Sequence, residues 1–162
     1  MNKHKYLSKL TTLLAFFALG TFPVLVQAES FETSGSATYI VTDNQVTTHA
    51  NGTTTIVQTS KTIIECDDES VSFHKAPQTA IGTIVQDAEG NVIANMGYCY
   101  AVDADGDVMY LNWRMVGNGS EWSFVSGTGK YENIEGGGTS EVLALMEDGS
   151  QMIRWHGKWT QE

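Results

Sequence analysis

The side chains of this sequence best suited to chemistry are aromatic and apolar rather than charged. Tyr98, Tyr100, Met109, Leu111, Trp113, Trp122, Phe124, Trp155 and Trp159 recur at alternate positions of successive runs, and in extended backbone that spacing puts them on one face. Indoles, phenols and thioethers on a common wall suit a flat hydrophobic or polyunsaturated small molecule, with Tyr and Trp supplying polar handles. The same wall would equally serve as an ordinary packed core with no ligand. Were a reactive substrate held there, a neutral phenol at Tyr98 or Tyr100 would donate a hydrogen bond to a carbonyl or epoxide oxygen, and a buried carboxylate would act as base. Glu65 and Glu121 are the acids nearest to apolar runs, but carboxylates in such places are mostly solvated. Arg114 and Asn112 fall on the face opposite Trp113 and read as exterior groups.

Other chemistries find little support. His49, His74 and His156 have no metal-type spacing, so neither a metal nor any other cofactor is implied. Asp103-Ala104-Asp105-Gly106-Asp107 has the look of a calcium loop, but its glycine comes two positions early and Arg114 stands where the closing Glu belongs; a hairpin turn accounts for it better. The glycine-rich stretch Ser126-Gly127-Thr128-Gly129-Lys130-Tyr131 is no phosphate loop, which would need Gly at Phe124 and Ser or Thr at Tyr131. It reads as a tight connector in which one helical turn buries Tyr131 and Ile134 and Gly136-Gly137-Gly138 lets the next strand pass close. Cys66 and Cys99 fall at the ends of expected strands, and a single disulfide is the simplest expectation, with two buried thiols as the alternative.

Charge and the N-terminus narrow the setting. Lys3, Lys5 and Lys9 precede an apolar stretch over residues 10–26, and Val26-Gln27-Ala28 carries the small residues of a cleavage site. Residues 1–28 therefore read as a bacterial-style signal peptide and residues 29–162 as one domain, periplasmic or secreted. Without the leader, six Lys plus Arg face 19 Asp plus Glu, a net charge of −13. Such a field repels nucleic acid and anionic headgroups, so neither nucleic acid nor, after cleavage, a membrane is an expected partner.

Hairpins position the aromatic wall. Asn51-Gly52, Glu89-Gly90, Asp105-Gly106, Asn118-Gly119 and Asp148-Gly149 punctuate alternating runs, and each fits a two-residue reversal with Gly second. Glu89-Gly90 then sets Ile81 against Tyr98 and Thr83 against Met96, with Gly82 meeting Gly97 on the other face. Asp105-Gly106 sets Tyr98 against Trp113 and Tyr100 against Leu111; Asn118-Gly119 sets Trp113 against Phe124. Asp148-Gly149 sets Val142 against Trp155 and Gly138 against Trp159, with Glu141 and His156 behind. Thr-rich runs over residues 38–49 and 53–66 flank the first turn, residues 67–70 form another turn, and residues 71–73 form a short strand. About eight strands, few prolines and no long amphipathic helix give an all-β chain: a single antiparallel eight-stranded β-barrel of consecutive hairpins, whose interior is either filled or holds one small ligand.

The strand, Gly-x-Gly-Lys-Tyr-x-x-Ile-x-Gly turn and strand over residues 122–142 resembles the corresponding part of the allene oxide cyclase and dirigent-like barrels, including a group of exported bacterial proteins. The aspartate-glycine hairpin and the closing Arg154-Trp155-His156-Gly157-Lys158-Trp159 strand are similar to those bacterial members, so the likeness spans residues 105–160. It implies an eight-stranded barrel with an apolar lumen, in families that shape reactive unsaturated substrates or orient radicals; no catalytic residue is carried over. Three functions follow as expectations: a barrel binding a small hydrophobic molecule; a cofactor-independent cyclase or isomerase of the allene oxide cyclase type; or a filled structural barrel that forms a homo-oligomer, a dimer or trimer, through exterior residues such as Leu143 and Leu145. For the leader, mass spectrometry of the exported chain is expected to give Glu29 as its first residue; a product retaining residues 1–28 would contradict the cleavage.

Overall fold

The turns set the register, and the register sets what the barrel encloses. The computed structural model describes residues 29–161; the expected signal peptide lies outside the described residues. The strands are β1 (Glu29–Thr48), β2 (Thr54–Ile63), β3 (Glu65–Cys66), β4 (Pro77–Gln86), β5 (Val92–Val102), β6 (Val108–Val116), β7 (Gly119–Gly127), β8 (Glu135–Leu145) and β9 (Gln151–Gln161), with a single 3-10 turn at Gly129–Tyr131. The long strands pair antiparallel in the order β2, β4, β5, β6, β7, β8, β9, β1, and β1 pairs back onto β2. The sheet thus closes as the expected eight-stranded barrel and leaves no free edge. β3 is a two-residue addition beside Gly35 and Ser36 of β1. Among the described residues no helix is long and apolar enough to cross a membrane.

Four of the five glycine reversals are one residue longer than expected. Gly52, Gly90, Gly106 and Gly149 have φ of +84 to +90 and end three-residue loops, as the pairs His49 with Thr53, Asp87 with Asn91, Asp103 with Asp107 and Met146 with Ser150 show. That is a type I turn closed by a left-handed glycine, and in two of the four the acid before the loop favours it. Asp87 Oδ1 accepts from the Glu89 and Asn91 N–H groups at 3.1 and 2.7 Å, and Asp103 Oδ1 accepts from Asp105 and Asp107 at 2.9 and 3.0 Å. The fifth reversal is a two-residue turn at Gly117-Asn118, with Gly117 at φ +60.

Each added residue moves a strand to its opposite face unless a bulge restores the parity. Between β4 and β5 a bulge does so, and Ile81 opposes Tyr98 and Gly82 opposes Gly97 as expected. Between β8 and β9 an irregularity near Leu143 leaves Val142 opposite Ile153 and Gly138 opposite Gly157, a two-residue difference that keeps the aromatic face inward. Between β5 and β6 nothing compensates. Trp113 therefore opposes Gly97, Leu111 opposes Cys99, and Tyr98 meets Asn112; the face of β5 that carries Tyr98 and Tyr100 is the outer one.

The two barrel ends differ. The three-residue loops after β1, β4 and β8 and the Gly117-Asn118 turn form one rim. At the other end residues 64–76 leave β2, cross the barrel and return to β4, through Ile64 N–H to Ala76 O at 3.0 Å and Lys75 N–H to Ile64 O at 2.8 Å. Residues 71–73, expected as a strand, are part of this turning cap. Their role is to drive Phe73 into the barrel, where its ring lies 5.1 Å from Trp159 and 6.3 Å from Trp155. Phe31 stacks on Trp159 at 5.7 Å, and Ile64, Cys66, Ala76, Tyr131 and Ile134 complete a buried core at this end.

The expected disulfide is absent: Cys66 and Cys99 are both free and buried. Cys66 sits in the cap, its N–H donating to His74 Nδ1 at 3.1 Å, whereas Cys99 projects into the barrel from β5, so the two thiols belong to different layers of the interior. Burial pushes both thiols up to about 12, which leaves them protonated and unreactive.

Asp103 ties the connectors together under the cap. Its carboxylate accepts from the Tyr131 hydroxyl at 2.9 Å and pairs with Lys130 Nζ at 2.7 Å, and the Tyr131 oxygen accepts in turn from the Ser72 hydroxyl at 3.0 Å. Burial alone would raise the Asp103 carboxyl, but Lys130, Tyr131 and the two backbone donors outweigh it and hold it below the usual carboxylate range. A carboxyl lowered on folding stabilises the protein above its unfolded value of about 3.9 and loses that contribution as pH falls further. Asp103→Asn is accordingly expected to cost about 1–3 kcal/mol at neutral pH in urea denaturation, with the gap to the parent narrowing below about pH 4. A gap independent of pH would contradict the ionic role.

Candidate functional site

The alternating strands enclose a cavity of about 450 Å³ that runs from Ile64 and Phe73 at the capped end to Gln86, Val92, Asn118 and Gly149 at the hairpin rim. That volume lies within the ~300–1,000 Å³ of small-molecule sites. Val92 and Leu145 line the cavity and are also exposed, so it reaches solvent at the rim. Of the nine residues expected on the lumen wall, Met109, Leu111, Trp113, Trp122, Phe124 and Trp155 line this cavity. Trp159 points inward but is spent on the cap, 2% exposed between Phe31, Phe73 and Phe124. Tyr98 and Tyr100 lie on the outer surface, 67% and 41% exposed, because the loop between β5 and β6 is one residue longer than a two-residue turn.

Bulky rings leave a lumen only because glycines face them. A Cβ on Gly82 would stand 2.9 Å from the Trp113 indole, and one on Gly157 would stand 2.6 and 2.7 Å from Trp122. One on Gly35 would overlap Trp155. Each indole occupies the space that a side chain at its glycine would fill. Trp122 then meets Phe124 edge-on at 5.5 Å and Trp155 edge-on at 6.3 Å, so the aromatic side of the lumen is one interlocked surface over β6, β7 and β9.

The side formed by β2, β4 and β5 mixes apolar Ile56, Ala80, Ile84 and Val92 with uncharged polar groups. Gln58, Gln78, Gln86 and Asn95 line it, and Tyr39 of β1 donates to Gln78 Oε1 at 2.7 Å. Cys99 lines the cavity with Tyr39 and Trp113. Burial, with Cys99 adding to it, raises the Tyr39 phenol well above its ordinary value, so Tyr39 is a neutral donor. Sequence reading missed Tyr39, Gln78 and Asn95, although Gly82 opposite Gly97 was a signal that this face of β4 and β5 faces a large ring. Among the described residues no Asp, Glu, Lys, Arg or His lines the cavity. Glu65 pairs with Lys75 at 2.6 Å and Glu121 with Arg114 at 2.7 Å, all exposed; Asn112 is on the outer face with them, bonded to Ser123 Oγ at 2.6 Å. His156 opposes Thr139 rather than Glu141. Among the described residues no three His, Cys, Asp or Glu side chains gather as metal ligands would.

Two polar atoms on lining residues, Asn95 Oδ1 and Trp155 Nε1, are buried with no hydrogen-bond partner. An orphaned acceptor or donor of this kind costs about 1–3 kcal/mol.

No family model matches the chain, and no curated protein matches it. Among solved structures it is similar to the pterocarpan synthase dirigent protein GePTS1, with a TM-score of 0.57 and 12% identity over 84% of this chain and 87% of that one. It is likewise similar to the pterocarpan synthase dirigent protein PsPTS1, with a TM-score of 0.55 and 13% identity over 82% and 96% of the two chains. The likeness is one of fold: the chain forms a dirigent-like barrel.

The glycine and indole contacts make a direct test. Gly157→Ala is expected to lower unfolding free energy by about 1–3 kcal/mol, the usual cost of overpacking. Adding Trp122→Phe, which removes the overlapping ring atoms, should cost less than the two single changes summed. Additive costs would show that the ring does not depend on the glycine.

Proposed function

We propose that this chain binds a small, largely apolar molecule in the lumen of its barrel. The observation that carries the reading is the 450 Å³ cavity itself, walled on one side by Trp113, Trp122, Phe124 and Trp155 and reaching solvent at the hairpin rim. Trp122, Phe124 and Trp155 pack on one another, but glycines let the indoles sit close to the wall, and the space between the walls stays open. The leader sequence supports binding outside the cytoplasm, in the periplasm or beyond the cell. The outward Ile81, Met96, Tyr98, Tyr100 and Tyr110, exposed on the adjoining strands β4, β5 and β6, support self-association into a dimer or trimer.

A cyclase or isomerase is the second reading, favoured by the pterocarpan synthase neighbours. In this chain it rests on Tyr39 rather than on Tyr98 or Tyr100, since Tyr39 is the phenol that lines the cavity. With no carboxylate on the wall, the lumen would template a substrate and donate one hydrogen bond to a developing oxyanion.

Titration with Nile red, a flat uncharged fluorophore, is expected to give saturable emission at one probe per barrel. Ile84→Trp, which places an indole in the cavity, should weaken binding about tenfold or more while circular dichroism keeps the all-β signature. Unsaturable emission, or binding indifferent to Ile84→Trp, would overturn the lumen as the site.

A further inference from the structure

Most of the lumen's carboxamides stand opposite its rings, with Gln151, Ser120 and Ser140 on the aromatic wall and Ile56, Ile84 and Val92 between the carboxamides. β2, β4 and β5 are consecutive in the sheet and face β7, β8 and β9 across the barrel, so the carboxamides of Gln58, Gln78, Gln86 and Asn95 stand across from Trp122, Phe124 and Trp155. Carboxamides both donate and accept hydrogen bonds but carry no charge. Resting on the binding reading above, we propose that the guest is an uncharged planar molecule, apolar along one flank and carrying a hydrogen-bonding donor and acceptor along the other.

Three observations converge on this. The cavity wall holds no ionic side chain, so an ionised guest would give up its hydration with no counter-charge, a loss of several kcal/mol. Residues 29–162 carry six Lys plus Arg against 19 Asp plus Glu, a net charge of −13, which disfavours anions further. Asn95 Oδ1 and Trp155 Nε1, an acceptor and a donor on lining residues, are unpaired, a state natural interiors rarely keep without use. A wall meant only to exclude water would be apolar throughout. The Tyr39 and Cys99 groups, both protonated by burial, keep the wall neutral across the physiological range.

Isothermal titration calorimetry on the intact chain with naphthalene, 2-naphthamide and 2-naphthoate separates the components, since the last two differ in charge at nearly constant shape. The amide is expected to bind about tenfold or more tighter than the carboxylate and several-fold tighter than the hydrocarbon. High salt, which screens the outer field, should leave that order intact. Asn95→Leu should bring the amide down toward naphthalene, while unfolding free energy rises because the unpaired Oδ1 is removed. Carboxylate binding equal to amide binding, at low or high salt, would overturn the neutral guest; naphthalene equal to the amide would overturn the polar flank. A chain that takes Nile red but none of the three probes would also overturn the inference, whereas a chain that takes no probe at all, Nile red included, sinks the binding reading beneath it.

Discussion

The architecture depends on the contact between a large flat side chain and a residue with none. Trp113 over Gly82, Trp122 over Gly157 and Trp155 against Gly35 hold three indoles close to the sheet, and an eight-stranded barrel has room for little else. Were those positions alanine, the rings would tilt into the centre and the interior would fill. The glycines weaken their strands locally, and closure of the barrel compensates, since every long strand is paired on both sides.

Stability is concentrated at one end. The cap of residues 64–76, the 3-10 turn and the Asp103 carboxylate bring together segments distant in sequence, with Tyr131 wholly buried and bonded to both Ser72 and Asp103. Phe31, Phe73, Phe124 and Trp159 form the aromatic floor above them. The opposite end has only hairpin turns, held by acids such as Asp87 and Asp148 that cap their own backbones. The floor is built for rigidity and the rim for access.

Strand number, barrel closure and the Gly-x-Gly-Lys-Tyr connector were legible in the sequence, because period-two alternation and glycine turns are local signals. Loop length was not. A dipeptide such as Asp105-Gly106 fits either a two-residue turn or the end of a three-residue one, and the choice inverts a strand. Bulges cancelled that inversion at β5 against β4 and at β9, and none cancelled it between β5 and β6; Tyr98 and Tyr100 are outside for that reason alone. The polar flank was hidden by the same slip, since Asn95 and Cys99 occupy the alternate positions of β5. Tyr39 escaped notice for another reason: it lies in a Thr-rich run with weak alternation, and only closure of β1 onto β2 and β9 fixes which way it points. The cysteines were misjudged because compartment suggests oxidation, while pairing requires proximity.

A vessel with a floor has a single doorway. Because Phe73 and its neighbours shut one end, any molecule bound as proposed would arrive and depart past the same turns around Gln86, Val92, Asn118 and Gly149. Obstruction at those turns would slow arrival and departure by the same factor, so residence time and affinity would be separable properties: the turns would govern how long such a molecule stays, and the walls how tightly it is held.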